Sequence, residues 1–161
     1  MKTIVTFIAA LLICSSCFAQ SIDTKLKLIA QKEFPGDAAM QKFVYDKQKK
    51  SYNYMATVTD TEVKRFAEKE FPDDYSMQNF VYDKQVGDKA YMKKVTDMEV
   101  KKIATDQFED DYSMQKFVYD KQVADKAYMQ RATNRAAKKD AQEQFPDDYS
   151  MQKFVYDKAV N

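Results

Sequence analysis

Phenylalanines 34, 71, 108 and 145 stand 37 residues apart, and the letters around them recur without insertion or deletion. In that alignment Met-Gln-x-Phe-Val-Tyr-Asp-Lys returns four times, at Met40–Lys47, Met77–Lys84, Met114–Lys121 and Met151–Lys158. A fixed period of this length means one supersecondary unit stacked on copies of itself. Boundaries fall near residues 24, 61, 98 and 135, giving units 24–60, 61–97, 98–134 and a shortened 135–161, with no Gly/Ser- or Pro-rich linker between them. The expectation is a single helical-repeat domain over 20–161: all-α, built of tandem two-helix repeats of 37 residues, forming a short α-solenoid or compact helical array.

Each unit reads as two helices. Val100, Ile103, Ala104 and Phe108 follow an i, i+3, i+4, i+8 stripe, repeated by Leu26, Ile29, Ala30, Phe34 and by Val63, Phe66, Ala67, Phe71. Thr59 with Glu62 and Thr96 with Glu99 have the spacing of a capping box, in which hydroxyl and carboxylate satisfy each other's backbone amides. The fourth unit offers only Ala137, Ala141 and Phe145 on that stripe and has no such box, as befits a terminal unit. Pro35, Pro72 and Pro146 then disfavour helix in the residue before them and suit the first turn after it, so they divide the two helices. Glu109 holds the same place in the third unit. The paired aspartates Asp73/Asp74, Asp110/Asp111 and Asp147/Asp148 are expected to cap the second helix and to face its positive end.

The second helix is expected to run unbroken from about Tyr112 toward Met129. Met114, Phe117, Val118, Ala124, Tyr128 and Met129 fall in one arc, the width of a core-facing stripe, although Lys121 and Asp125 interrupt it. Beside the arc lies a second ladder of Gln78, Tyr82, Gln85; Gln115, Tyr119, Gln122; and Gln152, Tyr156. Tyr and amide groups at fixed spacing are a candidate ligand face for an extended peptide or glycan. The preferred reading of the same residues is the packing surface between units, which also demands identical letters. One unit carries too few apolar anchors to order itself, so stacking is required.

Composition narrows the function. Lysine and arginine number 26 against 25 acids, and Lys2 is the only charge in the first nineteen residues. Without that segment the balance is neutral and unblocked, which excludes the basic footprint that nucleic acid demands. Lys2, the apolar run Ile4–Ile13 and Cys17-Phe18-Ala19 have the form of an export signal over 1–19, cleaved after Ala19. A lipoprotein signal acylated at Cys17 is the alternative. Beyond residue 19 there is no His, Cys or Trp, so the usual general base, thiol nucleophile and transition-metal ligands are missing. Neither a catalytic residue nor a cofactor site is expected. Asp73 and Asp74, with Asp83 or Glu70, supply hard oxygens suited to Ca²⁺, but no loop wraps an ion and helix capping accounts for the acids.

The segment FPDDYSMQKFVYDK, Phe145–Lys158, resembles short helical repeat segments of bacterial exported or membrane-associated proteins that lack an assigned activity. In unit length alone the chain is also similar to tetratricopeptide and Sel1-like repeats. The resemblance implies no catalytic role. The expected protein is therefore an exported, periplasmic or extracellular, non-enzymatic helical-repeat module that takes a protein or peptide partner or acts structurally in the envelope. The alternatives are a carbohydrate- or Ca²⁺-binding module and a peripheral lipoprotein held through Cys17, with no transmembrane span in the mature chain.

Overall fold

The computed structural model describes residues 21–161; the expected export signal with cleavage after Ala19, and its alternative of acylation at Cys17, fall on residues outside them. The described chain is all-α. Eight helices follow in order: α1 (Ile22–Glu33), α2 (Ala38–Thr57), α3 (Thr61–Glu70), α4 (Tyr75–Met92), α5 (Met98–Gln107), α6 (Tyr112–Arg131), α7 (Arg135–Gln144) and α8 (Tyr149–Val160). The chain divides into two compact units, one ending at Tyr45 and the other running from Asp46 to Asn161.

In the first unit Leu26, Ala30 and Val44 are buried, and the Tyr45 hydroxyl donates to Asp23. The turn between its helices uses Gly36 at φ 81°, a left-handed conformation that only glycine adopts without strain.

In the second unit α3 packs on α4, α5 on α6 and α7 on α8, while α4, α6 and α8 pack side by side. Gln85 meets Asp111 and Tyr91 meets Asp120 on the next helix, so partners advance together and the neighbouring long helices run parallel. Three core clusters follow, and each gathers residues from more than one pair. The middle one joins Val100 and Ala104 of α5 and Tyr119 of α6 to Met92 of α4, with Tyr149 of α8 packed against it. Its equivalents are Met55, Val63, Ala67, Tyr82 and Met129, Ala137, Ala141, Tyr156.

Helix starts differ from the expected boxes by one residue. The caps of α3 and α5 are Asp60 and Asp97, accepting from the amides of Val63 and Val100, not Thr59 and Thr96. A capping box would satisfy the cap residue's own amide with a glutamate. Here the Tyr82 and Tyr119 hydroxyls accept from the amides of Asp60 and Asp97 instead, and Glu62 and Glu99 turn elsewhere. Asn134 caps α7 in the same way, with the Tyr156 hydroxyl as acceptor for its amide. The caps of α4, α6 and α8 are Asp74, Asp111 and Asp148, each accepting from two amides of the first turn. Their neighbours Asp73, Asp110 and Asp147 are exposed.

Candidate interaction surface

The phase of the long helices is the main correction. Phe117 and Met114 were expected in the core, yet Phe117 is 61% exposed and Met114 lies at the surface. Ala124 is exposed as well, and of the expected arc only Met129 is fully buried. The buried face is the Tyr/Gln ladder: Gln78, Gln115 and Gln152 are each 2% exposed, and Tyr82, Gln85, Tyr119, Gln122 and Tyr156 are buried with them. A ligand cannot reach these eight side chains, because each is committed to the chain itself.

Their bonds explain why polar residues win the interior. Gln78, Gln115 and Gln152 donate from Nε2 to the carbonyls of Phe71, Phe108 and Phe145, the C-caps of α3, α5 and α7, at 2.6, 2.6 and 2.7 Å. A helix end leaves its last carbonyls without partners, and a buried end must find them. Gln85 and Gln122 reach across to the next pair. Each donates to the capping carboxylate, Asp111 at 2.6 Å and Asp148 at 2.9 Å, and accepts an amide from the same first turn, that of Ser113 or Tyr149. Gln48 does the same toward Asp74 and Ser76. A primary amide carries donor and acceptor on one flat group, which is what a helix start with a carboxylate cap presents.

Around this interior runs a second set of ties between pairs. Lys89 donates to Asp60 and Glu62, and its ammonium lies 5.0 Å from the Tyr112 ring centre. Lys126 repeats this with Asp97, Glu99 and Tyr149. The Tyr112 and Tyr149 hydroxyls complete each cluster by donating to Glu62 and Glu99. Lys126 and the Tyr149 hydroxyl hold Glu99 below the usual carboxylate range. For Asp97, burial pushes upward, but Lys126 and the Val100 amide prevail and the carboxyl is lowered. Tyr54, Tyr91 and Tyr128 donate to Asp83, Asp120 and Asp157 on the next helix. The Asp83 carboxylate pushes the Tyr54 hydroxyl up to about 12. Asn79 stands where Lys116 and Lys153 sit beside the other two tyrosines.

What remains at the surface is a repeated aromatic. Phe80, Phe117 and Phe154 are 61–62% exposed, one on each of the three adjacent long helices of the second unit. One turn further lie Lys84, Lys121 and Lys158. Lys84 and Lys121 pair with Asp88 and Asp125, with the lysines 52% accessible and the acids 15% and 13%. The outermost layer of this face is therefore phenylalanine and lysine. A groove between α4 and α6 is lined by Lys84, Asp88, Ser113, Lys116, Phe117 and Lys121. The lysine and aspartate interrupting the expected apolar arc were the signal that this arc faces water.

Among the described residues no group of three or more His, Cys, Asp or Glu is disposed to hold a metal ion. No described helix is long and apolar enough to cross a membrane. No family model, no curated protein and no solved structure matches the chain.

Proposed function

We propose that the chain is an exported, non-catalytic helical-repeat scaffold that binds an amphipathic helix of a partner protein on the face carrying Phe80, Phe117 and Phe154. The observation that carries the reading is the exposure of a large aromatic at the same position of three neighbouring helices. Burial of aromatic side chains dominates binding energy, and contiguous exposed apolar surface marks interaction sites. Packed helix axes lie ~8–10 Å apart. A helix laid across the row returns an apolar residue every seventh position, a rise of ~10.5 Å, close to that spacing. The lysine–aspartate pairs beside Phe80 and Phe117, and Lys158 beside Phe154, supply the polar rim of such an interface. The non-catalytic part of the reading rests on the absence of His and Cys from residues 21–161. Export and an envelope-associated role rest on the form of the first nineteen residues.

A photo-crosslinking amino acid at position 117 tests the reading in envelope extract, with position 143 on the far helix α7 as control. The expected result is a discrete adduct from 117 alone that disappears in an F80S/F154S background while the melting temperature is kept. Equal labelling from 117 and 143, or an adduct indifferent to the two substitutions, contradicts it.

A further inference from the structure

The second unit contains a cleft of about 310 Å³ walled by the end of α4, the open side of α5 and the start of α6. That volume is at the lower end of the ~300–1,000 Å³ range of small-molecule sites. Buried Met92 and the half-buried Tyr112 give it an apolar floor. Lys93, Lys101, Thr105 and Glu109 stand around it.

The neighbouring pairs provide an internal comparison at Lys101. Lys64, 37 residues earlier, pairs with Glu68. Lys138, 37 residues later, donates to the carbonyl of Gln130. At Lys101 the carboxylate partner is missing, because Thr105 stands where Glu68 pairs with Lys64, and Lys93, in place of Gln130, brings a second ammonium to the same cleft. Among the described residues, Lys93, Lys101 and Glu109 join no ion pair within 4.0 Å, whereas Lys89 at the same cleft is neutralised by Asp60 and Glu62. The Thr105 hydroxyl donates to the Lys102 carbonyl, which leaves its oxygen free to accept. Glu109 replaces the proline found at 72 and 146. Two ammonium groups outside any ion pair, one carboxylate and one acceptor thus surround an apolar floor.

We propose that this cleft binds a small apolar amino acid in its zwitterionic form. Lys93 and Lys101 take its carboxylate, Glu109 and the Thr105 oxygen its ammonium, and Met92 with Tyr112 its side chain. The site is independent of the phenylalanine face, so either can fail without the other. Charges of both signs around the cleft select for a ligand carrying both, because a group left unpaired there is penalised.

The test is a methyl NMR titration of the whole protein, reading Met92, with leucine, isovalerate and isopentylamine as probes. Leucine should give saturable shifts at Met92 that leave Met55 and Met129 unmoved, with isovalerate binding more weakly and isopentylamine more weakly still. The K93Q/K101Q variant should bind leucine at least about tenfold more weakly, the loss of charge-assisted bonds. E109P, which installs the residue of the other pairs and so keeps the fold, should abolish the preference for leucine over isovalerate. No Met92 shift with any probe overturns the proposal, as does leucine binding unchanged in K93Q/K101Q. Equal affinity for leucine and isovalerate in the original protein overturns it too.

Discussion

At the scale of the residue, glutamine does work usually given to leucine. Gln122 is 4% exposed, yet its amide nitrogen is on Asp148 at 2.9 Å and its amide oxygen receives the Tyr149 amide at 2.8 Å. An aliphatic side chain of the same size would fill the space but strand the Tyr149 amide, leaving Asp148 with only its own first-turn amides. A buried donor or acceptor left unpaired costs ~1–3 kcal/mol. Gln122→Ala should therefore lower unfolding free energy by about 1–3 kcal/mol in urea titration, whereas Lys121→Ala, one residue away and half exposed, should stay within about 0.5 kcal/mol. Equal effects from the two would show that the amide is not holding the joint. The ionic cluster of Lys126, Asp97 and Glu99 lies nearer the surface, where water screens each pair and single ion pairs contribute little.

At the scale of the element, helix existence was legible and helix rotation was not. Phe71, Phe108 and Phe145 as the C-caps of the short helices, with Pro72, Glu109 and Pro146 after them, mark real ends, and α6 runs unbroken through Gln122. The apolar stripe of the short helices also lies where the periodicity puts it, with Val100 and Ala104 at 0% exposure. The long helices mislead because a hydrophobic pattern scores Phe117 as interior and Gln115 as exterior. Hydrogen bonding to helix ends reverses both, since satisfying a buried terminus outweighs the gain from burying one ring. The shift of the caps from Thr59 and Thr96 to Asp60 and Asp97 has the same origin, a tyrosine hydroxyl from the partner helix supplying the arm that glutamate would have supplied. The neutral ladder, read from spacing alone, could be a surface or a joint, and only the bonding partners decide it.

Gly87 offers a test at this scale. It lies inside α4 at a position where α6 carries Ala124, and an added Cβ meets nothing within 4 Å. Glycine inside a helix costs ~0.8–1 kcal/mol relative to alanine. Gly87→Ala should raise the stability by about that amount, seen as a higher urea midpoint with an unchanged slope. A neutral or lower midpoint would place this stretch of α4 outside the helix in solution.

At the scale of the molecule, the joints between pairs make each pair depend on the next. The cluster around Val100 and Ala104 needs Met92 from before and Tyr149 from after, and the start of α6 needs Gln85 to complete its cap. Cutting the chain at 98 and 134 removes all three. Such a fragment keeps Val100, Ala104 and Tyr119 but loses a neighbour on either side, and short isolated helices are marginal in water. Circular dichroism of the peptide 98–134 during heating measures this dependence directly. The account predicts weak helicity and no cooperative transition for the peptide, against a single cooperative transition for the whole chain. A monomeric peptide that is fully helical and melts cooperatively would contradict it.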